Sequence, residues 1–259
     1  MSFPEKDFDA PANNSLVDEF GRHHTDLRIS VTDRCNLRCG YCMPLEASFM
    51  SQQRLLTYDE VARCANVASE MGIQTIRLTG GEPLMRPRLD QLIEQLTQLP
   101  KIQEVALTTN GLLLADQAAG LARAGLSRLN VSLDSLDEAR FEKIARRSGL
   151  QRILEGLEEA RRQGFRSIRM NAVSIRGLTE QDIVPLAEFC RTHCFHLRFI
   201  EFMPLDAEDA WSREDVLTGR EVRQIIEMHI GELSQIEGNN PGQPSIDYAY
   251  VDGSGVVGF

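Results

Sequence analysis

The chain has 259 residues, of which 42% are hydrophobic and 25% charged, and its formal net charge is -10. That composition suits an ordinary globular α/β protein, and the acidic balance excludes the broad basic face that nucleic-acid binding needs. No run nears the roughly 20 apolar residues of a membrane span, and Met1 to Asp26 lacks the basic start and apolar core of a secretion signal, so a cytoplasmic protein is expected.

Residues 1–26 mix Pro4, Pro11, Asn13, Asn14 and acidic groups without apolar periodicity, which reads as a mobile arm. Strand patterns follow over 27–32, 74–79, 104–109, 128–134, 167–175 and 196–203. Helical periods lie between them over 58–71, 89–98, 113–124, 150–163 and 181–193. After residue 203 the alternation weakens into a helix over 217–228, an Asn-, Pro- and Gly-rich loop over 239–244, and short strands over 247–251 and 255–259.

Strands separated by helices imply parallel pairing with right-handed crossovers, in either a wound sheet or an incomplete (β/α)6 barrel. Strand polarity favours the barrel. A sheet covered on both faces reads as continuous apolar runs. Here one face is polar on strand after strand: Arg28, Ser30 and Thr32; Arg77 and Thr79; Asn130, Ser132 and Asp134; Arg169 and Asn171. The alternate positions, Leu27, Ile29, Val31, Ile76, Leu78, Leu129, Val131 and Leu133, suit packing under outer helices. A polar inner face describes a lumen that holds a ligand and water. The expected layout is a partial barrel over 27–205 and a short carboxyl-terminal extension over 206–259.

Of the six cysteines, Cys35, Cys39 and Cys42 form a C-x3-C-x2-C triplet after the first strand, at the end where barrel enzymes place their chemistry. A cubane cluster with four cysteine ligands is the common electron-transfer form, so a local triplet leaves one iron open to another ligand. The alternatives are a zinc site, which prefers four closed ligands although the nearest histidines, His23 and His24, precede the strand, and three unrelated packing cysteines. Cys64 lies mid-helix and reads as core. Cys190 and Cys194 read as helix packing, with metal binding through His193 the minor option.

With Tyr41 just before its last cysteine, this loop resembles that of the radical SAM superfamily. The resemblance implies a [4Fe-4S] cluster on Cys35, Cys39 and Cys42 whose open iron is chelated by S-adenosyl-L-methionine, and reductive cleavage of that cofactor to a 5′-deoxyadenosyl radical. Thr79-Gly80-Gly81-Glu82-Pro83 resembles the superfamily's GGE element, in which backbone and the Glu82 carboxylate meet the amino group of the cofactor. By itself such a run is more often a turn. Tyr41, Gly81, Glu82, Ser132 and Met203 fall at the superfamily's cofactor-binding positions, although a methionine ending a strand is usually core.

Longer blocks, among them Leu27 to Asn36, Ile76 to Arg86, Leu107 to Gly111, Asn130 to Asp134 and Arg198 to Met203, are similar to the GTP 3′,8-cyclase family of molybdenum cofactor biosynthesis. That resemblance implies a lyase that abstracts the ribose 3′ hydrogen of GTP and closes a bond to guanine C8. By position, Arg28, Arg77, Thr108 and Arg169 would bind the triphosphate or ribose. Arg169 stands where the family often has lysine, so a planar fork replaces a point cation. The residues alone leave another use for these arginines, pairing with Asp134 or Glu201.

The family carries a second cysteine triplet near its carboxyl end. The sequence stops at Gly258-Phe259, so the resemblance implies truncation before that segment, for which Cys190 and Cys194 do not substitute. A radical SAM enzyme with another substrate, or a non-catalytic SAM-binding remnant, is the alternative function. Expected partners are GTP, a reductant protein, and a separate carboxyl-terminal segment or a second copy of the chain.

Overall fold

A computed structural model describes residues 15–205, 211–237 and 245–259. The expected arm up to residue 14 and the expected loop over 239–244 lie outside the described residues. Six parallel strands follow one another in space as in sequence: β1 (Asp26–Ser30), β2 (Thr75–Thr79), β3 (Glu104–Thr109), β4 (Arg128–Ser132), β5 (Ile168–Ser174) and β6 (His196–Glu201). The helices between them are α1 (Tyr58–Glu70), α2 (Leu89–Thr97), α3 (Leu114–Arg123), α4 (Glu138–Ala145), α5 (Leu150–Arg162) and α6 (Ile183–His193). This is the expected unclosed (β/α)6 barrel. No helix among the described residues is long and apolar enough to cross a membrane.

The core lies between the sheet and the helices, where Ile76, Leu78, Leu107, Leu129 and Val131 meet the apolar faces of α1 to α5. In α2, Leu89, Leu92, Ile93 and Leu96 are all buried, the i, i+3, i+4, i+7 stripe of a helix lying on a sheet. Each such side chain contributes about 1.5–3 kcal/mol. Thr57 and Glu60 close a capping box at the start of α1, which fixes where that helix begins after the long cysteine-bearing loop. Cys64, expected in the core, is exposed, because Val61 and Ala65 carry the buried stripe of α1 and residue 64 falls beside it.

From Ser15 onward the amino-terminal stretch lies along the barrel: the Leu16 N–H donates to Met71 O at 3.0 Å, and Val17 bridges to His23. At the other end α7 (Gly219–His229), β7 (Leu233–Gln235), β8 (Asp247–Tyr250) and β9 (Val256–Gly258) follow, and the three strands continue the same sheet. Strand β9 runs parallel to β6, and β8 and β7 add to it antiparallel, giving nine strands in the order β1-β2-β3-β4-β5-β6-β9-β8-β7.

Sequence reasoning misses α4 and β7. The eight residues of α4 bury Phe141, Ile144 and Ala145, too short a run to show a period. Its cap is readable, since the Asp137 side chain accepts the Arg140 N–H at 2.9 Å.

Candidate active site

Beyond β1 the chain enters the cysteine loop, which is gripped from two sides. On one side the Gly81 N–H donates to Thr32 O at 2.7 Å and the Glu82 N–H to Arg34 O at 2.6 Å. Paired glycines make this approach possible, for a Cβ on Gly80 would lie 2.3 Å from Thr32 O and one on Gly81 2.3 Å from Arg34 O. In the fold these glycines admit the backbone of the cysteine loop. On the other side the Arg38 and Gly40 N–H groups donate at 3.0 and 3.1 Å to Ala145 O and Ile144 O, carbonyls left open at the end of α4. Within the loop the Arg38 guanidinium donates to Cys35 O and Leu37 O, both at 2.7 Å.

These contacts leave the sulfurs in a polar, partly exposed setting. Cys35 Sγ accepts the Leu37 N–H at 3.4 Å. The neighbouring Cys39 and Cys42 thiols shift in opposite directions, each mainly through the other, Cys39 up and Cys42 down; burial is the main cause of a rise at Cys35. Among the described residues no trio of His, Cys, Asp or Glu side chains is gathered into a group that would hold a single ion. The donor chemistry fits an iron–sulfur group: three thiols on one loop, and an N–H on a sulfur that would carry negative charge as a ligand.

Glu82 lies in the turn after β2, just ahead of Pro83. Its carboxylate is buried and already accepts three donors: the Leu84 N–H at 2.9 Å, the Thr109 hydroxyl at 2.7 Å and the Asn110 N–H at 2.6 Å. It ties the turn after β2 to the end of β3. Burial pushes its carboxyl up, and the three donors oppose that rise. Glu82→Gln turns an amide NH2 toward one of these donors, so a loss of about 2–3 kcal/mol in denaturant unfolding is expected. A variant as stable as the parent would refute this role.

Tyr41, Cys42, Ser132 and Met203 converge on one cavity of about 240 Å³ at the carboxyl ends of β4, β5 and β6, with Asn171, Val173, Ile200 and Phe202 in its wall. Met203, at 48% exposure, stands at its mouth and is not core. The Tyr41 hydroxyl donates to Asp134 Oδ2 at 2.8 Å, and Asp134 Oδ1 accepts the Val173 N–H at 2.8 Å. Asp134, read from the sequence as one more polar lumen residue, thus joins the cysteine loop to β5.

Arg28 and Arg77 are register partners on β1 and β2, and Thr108, Asn130 and Arg169 are neighbours across β3, β4 and β5. Arg128 and Arg198 join them, each with a carboxylate: Arg128 to Glu104 at 2.6 Å and Arg198 to Asp247 at 3.2 Å. Arg77 and Arg169 form no ion pair among the described residues. The pairing left open by the sequence does not occur, since Asp134 serves Tyr41 and Glu201 accepts the Gly219 N–H at 2.7 Å. Burial lowers the Arg77 guanidinium, with Arg128 and Arg28 adding repulsion. Burial, then Arg198 and Arg128, brings Arg169 down to about 10.

His196 faces the same arginines and is held down to about 4, first by burial and then by Arg198 and Arg169, against the pull of Asp247. Its folded value lies below the ordinary 6.5, so the unfolded chain binds the extra proton and stability falls as pH drops from about 6.5 to about 4. The fall amounts to roughly 3 kcal/mol. His196→Gln is expected to flatten that part of the stability-against-pH curve in urea melts; an unchanged slope would count against it.

Cys190 is buried with its sulfur 3.5 Å from Met170 Sδ, as expected of helix packing, whereas Cys194 is an exposed residue capping α6. Neither lines the cavity beside Cys42.

The Radical SAM superfamily profile matches residues 29–190. A GTP 3′,8-cyclase of Rhodopirellula baltica is 47% identical over 233 residues, covering 89% of this chain and 65% of the relative. The chain therefore spans just under two thirds of that protein's length. A GTP 3′,8-cyclase of Staphylococcus aureus is 42% identical over 243 residues, covering 92% of this chain and 71% of the relative. Among solved structures, Streptococcus suis SuiB bound to S-adenosylmethionine matches with a TM-score of 0.65 at 20% identity, over 79% of this chain and 46% of that one. At that identity the likeness is one of fold.

Proposed function

Because the chain belongs to the radical SAM superfamily and, within it, to the GTP 3′,8-cyclase family, we propose that it binds GTP and takes part in the first step of molybdenum cofactor biosynthesis, in the cytoplasm. In this reading Cys35, Cys39 and Cys42 hold a [4Fe-4S] cluster, and Tyr41, Gly81, Ser132 and Met203 border S-adenosyl-L-methionine. When bound, that pair supplies a one-electron cleavage yielding a radical able to abstract hydrogen. Everything else falls to the chain's own residues.

The observation that carries the reading is the cavity where the cysteine loop, through Tyr41 and Cys42, meets the ends of β4 and β6, through Ser132 and Met203. Val173, Ile200 and Phe202 give one wall of it an apolar surface. Arg77 and Arg169, half-buried and with no ion pair among the described residues, suit a polyanion such as a triphosphate, and Arg28 and Thr108 border them on the same face. Glu82 acts by keeping the turn after β2 in place, so the cofactor's amino group would be met by backbone of that turn first.

The test is anaerobic reconstitution, iron and sulfide counting, and measurement of 5′-deoxyadenosine with and without GTP. About four irons at this site and GTP-dependent 5′-deoxyadenosine are expected. Zinc in place of iron would overturn the cluster, and 5′-deoxyadenosine formation indifferent to GTP would overturn the substrate.

A further inference from the structure

Asn110, at the end of β3, has a side chain committed at every polar atom. Its Oδ1 accepts the Leu112 N–H at 3.1 Å, which fixes which end of the amide faces the cysteine loop. The Nδ2 group therefore points its two hydrogens at Asn36 Oδ1, 2.7 Å away, and at Cys35 Sγ, 3.8 Å away. Its backbone is pinned in turn, for the Asn110 N–H donates to Glu82 Oε2 at 2.6 Å, and the neighbouring Thr109 hydroxyl donates to the other oxygen of the same carboxylate. The result is a neutral donor delivered to a sulfur from a separate strand by a buried scaffold.

We propose that Asn110 is a positioning residue for electron entry, whose amide N–H on the Cys35 sulfur raises the reduction potential of the iron–sulfur group held by the three cysteines. The inference rests on the cluster reading above. On reduction one electron enters the cluster and no bond is made or broken, so the added negative charge spreads over the sulfur ligands. An N–H aimed at such a sulfur favours the reduced form more than the oxidised one, and hydrogen bonds to sulfur are among the levers that set these potentials. Cys35 receives two such donors, from Asn110 and from Leu37. Among the described residues the one from Asn110 comes from a side chain, so truncating that side chain removes it.

The test is an EPR-monitored redox titration of the anaerobically reconstituted full chain, with dithionite as reductant and mediators. At the potential where the parent is half reduced, Asn110→Ala is expected to show roughly a tenfold lower ratio of reduced to oxidised cluster, equivalent to about 59 mV for a one-electron couple. An unchanged midpoint with full iron and sulfide overturns the inference and leaves the cluster reading intact. If Asn110→Ala does not retain iron, Asn110→Gln keeps the amide but displaces it by one methylene; a lowered midpoint then supports the proposal and an unchanged one refutes it. Loss of iron from both variants assigns Asn110 a purely structural role and refutes the tuning role. A parent chain that takes up no iron and sulfide overturns the cluster reading itself, and this inference with it.

Discussion

Gly81→Ala is expected to strip reconstituted protein of its iron and to lower its melting temperature by roughly 10 °C. The new Cβ would sit 2.3 Å from Arg34 O and 2.6 Å from Arg34 C and Asp33 O, all backbone atoms that no side-chain rotation can move aside. The two segments must separate, which breaks the bonds from the Gly81 N–H to Thr32 O and from the Glu82 N–H to Arg34 O. Overpacking costs about 1–3 kcal/mol and each buried bond left unmade another 1–3 kcal/mol or so, and a loss above about 3 kcal/mol is expected. The cysteine loop bears the shift, because Thr32 to Arg34 lead directly into Cys35. Gly120→Ala is the contrast. That residue lies in α3, where an added Cβ would meet nothing within 4 Å, so the change is expected to leave iron content untouched and to stabilise by about 0.5–1 kcal/mol. Calorimetry with iron counting checks both, and full iron content in Gly81→Ala would refute the clamp.

Joint replacement of Arg77 and Arg169 by methionine is expected to weaken GTP binding by roughly two to four orders of magnitude while leaving the fold as stable as before or more so. Each charged hydrogen bond to a phosphate contributes about 1.5–3 kcal/mol, or roughly tenfold to hundredfold in affinity. In the free protein the same guanidinium groups are a liability. They are half-buried, form no ion pair among the described residues, and face Arg128 and Arg198. Methionine keeps much of the apolar stem and removes the repulsion. Arg128→Met should behave in the opposite way, since it strips Glu104 of the guanidinium 2.6 Å away and is expected to destabilise. Equilibrium GTP binding and urea unfolding on the parent and the two variants separate these effects; parental affinity in the double variant would remove the triphosphate from this face.

The barrel is legible because its signal is periodic. Alternation in Leu27 to Thr32 and in Arg128 to Asp134 marks both the strands and the face turned inward, and the structure keeps Leu129 and Val131 under the helices with Arg169 on the opposite side. Tyr41, Cys42, Ser132 and Met203 can be selected by matching motifs, although nothing in their spacing says that they border one cavity. Helix α4 escapes because eight residues are too short a run to establish a period, even though Asp137 caps it. Asn110 stands in plain view in Leu107 to Gly111 but has no assigned task there, since its partners, Cys35, Asn36 and Glu82, lie 75, 74 and 28 residues away.

What the sequence determined by itself is the alternating α/β chain, the polar inner face and the cysteine triplet at the carboxyl end of the first strand, because each depends on spacing within a few residues. Only the tertiary structure decided what the separate motifs do for one another. Gly80 and Gly81 clear room for the cysteine loop, Glu82 binds turn to strand, the end of α4 supplies carbonyls to that loop, and Arg77 and Arg169 stand without carboxylates among the described residues while Arg128 and Arg198 are paired. Those roles turn on distances between segments far apart in the chain, which local propensity does not encode.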